Sequence, residues 1–205
     1  MKDCLDKFNK NLASLSDDKI IEFTRKNIIH GTPFIFASNE DKFYDFRKAI
    51  ADKWNIIYHE IYITGSAKLG FSFFKNKLFD NDSDIDVAII SNSLFDRIAK
   101  EVEDFQWNIR NNNIKISYEE LREYHKFLKY MAIGWIRPDK LPTLIRNDNN
   151  YLRDEWFEFF KELSRGDYNI GDYDIAAGVF KSYFHFERYV INGVSSCNQR
   201  LKNNF

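Results

Sequence analysis

The chain has little cysteine, no long apolar run and almost no net charge, and each shortage removes a class of protein. Its two cysteines, Cys4 and Cys197, stand near opposite ends and neither belongs to a CxxC pair. Two such thiols build no disulfide framework, so a reducing cytoplasm is the expected setting. No stretch approaches the roughly 18 uninterrupted apolar residues that mark a membrane span, so none is expected. The opening "MKDCLDKFNKNLASL" mixes acids and lysines where a signal peptide would carry an apolar core, so no signal peptide is expected either. A net charge of −1 supplies no global field of the kind that coats nucleic acid or holds a membrane surface, which leaves only local patches. The four histidines, His30, His59, His125 and His185, have no metal-ligand spacing, and HExxH is absent. A nucleophile elbow is missing too, as are repeats and low-complexity segments. Gly65 and Gly70 are spaced as in a P-loop, but Phe71 and Ser72 stand where Lys and Ser/Thr are required, which excludes it.

What the chain does have is aromatic mass: 20 phenylalanines within an aromatic share of 17%, enough for a packed core. Its 205 residues suit one domain, or one domain with a large appendage. Residues 1–55 read as N-terminal helices: "LSDDKIIEFTRKNIIHGTPF", capped by Ser16 or Asp17, then "SNEDKFYDFRKAIADKW" with Ser38 as N-cap. Residues 56–90 form the core, where "NIIYHEIYIT" has the β-branched and aromatic content of a strand. "IDVAIIS" fits a strand buried on both faces. Residues 91–166 read as a helical insertion, "LFDRIAKEVEDFQWNIR", "YEELREYHKFLKYMAI" and "YLRDEWFEFFKELSRG", the second opening on a Ser117–Glu120 capping box. Residues 167–205 supply a third strand, "DYDIAAGVFKSY", and a closing helix. This is the order of an α+β domain whose sheet is interrupted in sequence.

Chemistry concentrates in "ITGSAKLGFSFFKNKLFDNDSDIDVAII". Gly65 and Ser66 follow a strand; they form either a plain tight turn or a phosphate-holding one, in which glycine permits close approach and Ser66 adds a hydroxyl donor. Asp84 and Asp86 open the next strand two residues apart, so both side chains leave one face, roughly 6–7 Å apart. Two carboxylates so placed stay charged and desolvated only around a cation, and hard oxygen ligands suit Mg²⁺ or Mn²⁺. A solvated loop end is the other reading, and it is the one that fits Asp80 and Asp82 nearby. Lys68, one turn past the glycine-serine pair, either neutralises phosphate or is an exposed helix lysine. Lys181 and Ser182, after the last strand, are candidates to grip a triphosphate. The basic and aromatic segment that follows them is either an ordinary amphipathic helix or a surface for a nucleotide or short oligonucleotide.

Taken together, Gly65, Ser66, Asp84 and Asp86 resemble the signature of the polymerase-β-like nucleotidyltransferase superfamily, and the fuller string "GSAKLGFS…SDIDVAI" is similar to the minimal nucleotidyltransferases of bacterial anti-phage systems, the Hailong type among them. The resemblance implies a short mixed sheet flanked by helices and Mg²⁺ (or Mn²⁺) held by Asp84 and Asp86. It also implies a third carboxylate, for which Asp174 is the choice with Asp172 behind it. Gly65, Ser66, Lys68, Lys181 and Ser182 are then the nucleotide-binding set. The implied activity moves a nucleoside monophosphate from an NTP or dNTP to a hydroxyl, making a nucleotide or short single-stranded oligonucleotide signal, with a cognate effector as partner. Modification of a partner toxin protein and a non-catalytic binding fold are the alternatives.

Overall fold

A computed structural model describes residues 2–147, 150–165, 171 and 173–203. The chain opens with helix α1 (Lys2–Ala13), which the sequence pattern did not single out. The first expected helix is a continuous helical stretch of three kinds of turn: a 3₁₀ turn at Asp17–Lys19, α2 (Ile20–Thr24) and a π turn at Arg25–Ile29. Ser16 stands at its N-cap, but its side chain makes no capping bond to the helix backbone. α3 (Glu40–Trp54) starts one residue later than expected, because the Asn39 side chain, not Ser38, accepts the Lys42 N–H at 3.0 Å.

Only the end of "NIIYHEIYIT" is strand, β1 (Ile61–Thr64); a 3₁₀ turn at Tyr58–Glu60 comes first. The five-residue α4 (Gly65–Leu69) follows without a break, then a small hairpin of β2 (Phe71–Ser72) and β3 (Lys77–Leu78). β4 (Ile85–Ile90) leads into α5 (Asn92–Arg110) and α6 (Tyr118–Ala132). The α6 capping box forms as the sequence predicts, with Ser117 Oγ accepting the Glu120 N–H and Glu120 accepting the Ser117 N–H. β5 (Trp135–Ile136), a short hairpin of β6 (Arg146–Asn147) and β7 (Asn150–Tyr151), and α7 (Leu152–Arg165) complete the insertion. β8 (Ile175–Phe180) and α8 (Tyr183–Lys202) close the chain.

The principal sheet has the order β1-β4-β8-β5. β1 and β5 run antiparallel to their neighbours, while the central pair β4 and β8 is parallel, so the sheet is short and mixed, as expected of an α+β chain. One face presents Ile61, Ile63, Ile85, Val87, Ile89 and Val179 to a core filled from α3, α5, α6 and α7. Tyr124 and Phe127 of α6 are almost wholly buried in it, each side chain contributing about 1.5–3 kcal/mol. The opposite face carries Ala88 and Phe180 against Phe186 of α8. β4 is thus covered on both faces, which is why its sequence is an unbroken apolar run after Asp86. A second cluster joins Leu5 and Leu12 of α1 to Ile20, Phe71, Val194 and the buried Cys197. Among the described residues no helix is long and apolar enough to cross a membrane.

Candidate functional site

The turn at the end of β1 is shaped by one residue. Thr64 is extended, and Gly65 then takes φ +63°, a left-handed conformation that side-chain-bearing residues adopt only at a cost. A Cβ at this position would collide with Asp86 Oδ2, so the glycine both turns the chain and lets its backbone lie against that carboxylate. The antiparallel register sets the approach: Thr64 pairs with Asp86, and Thr64 Oγ1 donates to the Asp86 carbonyl at 3.4 Å. The glycine-serine and aspartate halves of the motif are therefore in contact. Ser66 is half-buried one residue on; it does not line the cleft described below.

The parallel pairing of β4 with β8 brings Asp174 to the same strand mouth. Ile85 is opposite Ile175 and Asp86 opposite Ala176, and the Ile85 N–H donates to the Asp174 carbonyl at 2.8 Å. Asp174 therefore stands beside Asp84 at the mouth of the strand pair, on the side of the sheet that Asp86 faces. Asp172 lies outside the described residues. Asp84 and Asp174 are both solvent-exposed. Asp86 also keeps water contact, but it sits in a concave wall of protein. That crowding raises its pKa from 3.8 to about 6; the Asp84 charge adds to the effect and the Lys75 charge opposes it.

This donor set suits a hard divalent cation in part. Asp84 and Asp86 offer carboxylate oxygens close enough to feel each other's charge, and the raised value at Asp86 reflects its burial first and that neighbouring charge second. Asp174 is drawn alongside through the backbone only: among the described residues, no three His, Cys, Asp or Glu side chains converge as a metal cage.

Asp86 and Gly65 line a cleft of about 1120 Å³ that runs along the sheet to Trp135. Phe180, the partner of Trp135, is four steps along β8 from Ala176, so the cleft extends roughly 13 Å. At its far end the Trp135 indole stacks on Phe180, with 5.5 Å between centroids and 3° between planes, and tilts against Tyr189 at 4.5 Å. Gly178 makes this possible, because any Cβ there would meet Trp135 Nε1 at 2.6 Å. Arg137, held by Asp139 at 2.8 Å, lies over the Trp135 ring at 5.3 Å. Trp135 Nε1 is buried without a hydrogen-bond acceptor among the described residues. Sequence reasoning missed this aromatic and cationic wall. Its strand has two residues, too few to show a period, and the string "GWIRPD" was the available signal.

The remaining candidates lie elsewhere. Lys181 and Ser182 follow β8, and because β8 is parallel to β4 they emerge at the opposite end of the sheet, roughly 17 Å along the strand from Ala176 and the Asp86 it faces. There the Lys181 ammonium stands over the Phe95 ring at 5.7 Å and Ser182 Oγ bonds His185 Nδ1 at 2.8 Å. The strand direction thus sets these two candidates for gripping a triphosphate apart from the aspartates. Lys68 is neither exposed nor in the cleft; it is buried and donates to the Gly31 carbonyl. Asp80 makes a local loop network with Lys77 at 3.0 Å and Ser83 at 2.9 Å, consistent with the solvated-loop reading.

No protein-family model, curated protein or solved structure matches this chain.

Proposed function

We propose that the chain is a nucleotidyltransferase that moves a nucleoside monophosphate from an NTP or dNTP to a hydroxyl, making a nucleotide or oligonucleotide signal in anti-phage defence. The observation that carries this reading is the contact between the Gly65 turn and Asp86 in the wall of a cleft large enough for a nucleotide. Mg²⁺ or Mn²⁺ held by Asp84 and Asp86, with Asp174 as third ligand, would supply the charge neutralisation that phosphoryl transfer needs. The chain's own part is positioning. The backbone at Gly65 would hold the terminal phosphates, and the Trp135–Arg137–Tyr189 wall would stack a base along the cleft. The acceptor oxygen attacks the α-phosphorus, the α–β phosphoanhydride bond breaks, pyrophosphate leaves with the electron pair, and the hydroxyl proton passes to one of the strand-mouth carboxylates.

The test is incubation with each labelled NTP and dNTP plus Mg²⁺ or Mn²⁺, followed by electrophoresis and mass spectrometry of product and protein. Laddered or cyclic nucleotide in wild type, absent in Asp84→Asn and Asp86→Asn, supports the reading. Label on a protein instead moves the acceptor to a partner. Turnover unchanged in both variants sinks the role given to the carboxylates.

A further inference from the structure

Strand β1 is an edge of the sheet, and a second cavity of about 480 Å³ opens against it. Arg25, Arg47, Lys68, His30 and His59 line it, together with the rings of Tyr62 and Tyr183, and no carboxylate is among its lining residues. Asp86 lines the cleft, not this cavity; Ile29, Tyr62 and Ile63 are common to both walls.

We propose that this cavity is a phosphate site, taking a small molecule that carries a phosphate dianion. Its cations are built in rather than left at a surface. Lys68 is only 6% exposed, and its ammonium has the Gly31 carbonyl as its sole partner among the described residues. Burying an ammonium without a carboxylate is expensive, and a methionine would fill the same space at less cost. Arg47 is half-buried and, among the described residues, equally without a carboxylate partner. Its Nε donates to the Tyr58 carbonyl at 2.8 Å, an amino nitrogen lies 3.3 Å from His59 Nδ1, and the Phe43 and Tyr58 rings lie within 4.9 and 5.1 Å of its guanidinium carbon. Those contacts hold the guanidinium in place with a donor edge unspent. Arg25 is fixed by a two-pronged pair with Glu187, at 2.7 and 2.8 Å. Three cations against that one carboxylate leave two positive charges, the complement of a phosphomonoester dianion. The volume is within the range of small-molecule sites and the tyrosines offer ring faces, so the phosphate can carry a sugar or nucleoside.

This site does not rest on nucleotidyl transfer, and its test keeps the two apart. Titration calorimetry is run on the full chain at low salt with a metal chelator present, using inorganic phosphate, ribose 5-phosphate and AMP as probes. Wild type binds at least one of them, and Arg47→Met and Lys68→Met each weaken that binding at least about tenfold, the effect of losing a charge-assisted bond. Lys126→Met, an exposed change on α6, leaves it within about twofold. If Lys68→Met does not fold, Arg47→Met decides, with the His59 ring resonances shifting on phosphate addition in wild type and not in the variant. No binding of any probe, binding that survives both variants, or equal loss in Lys126→Met overturns the proposal.

Discussion

Removing the Lys68 charge should change how stability responds to alkaline pH, and by an amount the structure sets. Burial lowers the pKa of this lysine from 10.5 to about 8. The groups facing it across the cavity, Arg25, His30, Arg47, His59, Tyr62 and Tyr183, include no acid to offset that. Because the folded value is below the unfolded one, the unfolded chain binds more protons between pH 8 and 10.5, and stability rises with pH through that window. Below pH 8 the folded protein carries the full cost of the buried ammonium, about 3 kcal/mol from the gap between the two values. Between pH 7.5 and 10 wild type should gain about 2 kcal/mol relative to Lys68→Met, which keeps the side-chain length and has nothing to titrate. Urea unfolding of both proteins in phosphate-free buffer at several pH values reads the difference, and other titrating groups cancel in the comparison. A difference that stays flat across the window would show that the ammonium is solvated or paired, and would remove the reasoning behind its burial cost.

Three further outcomes follow from named contacts. Gly65→Ala must hold a left-handed φ and displace the Asp86 carboxylate, so thermal unfolding should show a loss of at least about 2 kcal/mol; an unchanged melting temperature would mean that the turn relaxes freely. Ser117→Ala deletes one half of the α6 capping box and should cost about 1 kcal/mol in urea unfolding with no change in nucleotide transfer. Asp174→Asn should raise the Mg²⁺ concentration needed for half-maximal transfer, with partial rescue at high Mg²⁺; an identical Mg²⁺ dependence would leave a two-carboxylate site.

Local signals were the most readable. The Ser117–Glu120 box, the apolar run from Val87 and the long amphipathic helices each involve residues a few positions apart, and each formed where the pattern placed it. The cap of α3 slipped from Ser38 to Asn39 because both residue types cap well and only the bond to Lys42 separates them. "NIIYHEIYIT" has strand composition throughout, yet its middle is a 3₁₀ turn, held in part by the Ile57 N–H donating to the Glu60 carboxylate at 3.0 Å. The approach of Gly65 to Asp86 was foreshadowed by the motif. The distance of Lys181 and Ser182 from the aspartates was not, because strand direction is a tertiary property: a neighbour of β4 delivers its final residues to one end or the other, and nothing local tells which. Lys68 was likewise ambiguous, since helical spacing does not show which side of a five-residue turn is covered.

The parallel pairing of β4 with β8 also has a consequence for how the chain is made. β1 and β4 are close in sequence and can pair early, but β8 emerges only after residues 91–174. For that interval the central strand is an edge strand, with open backbone groups along an apolar run, a template for pairing with another chain. Asp84 and Asp86 then sit at the mouth of that open edge, where two like charges disfavour a second copy of the same strand in register. The nascent chain is thus guarded by the same pair of carboxylates of which Asp86 lines the finished cleft. Asp174 reaches its place beside Asp84 only when the last strand is laid down, so a truncated or unfinished chain cannot assemble the strand-mouth acids.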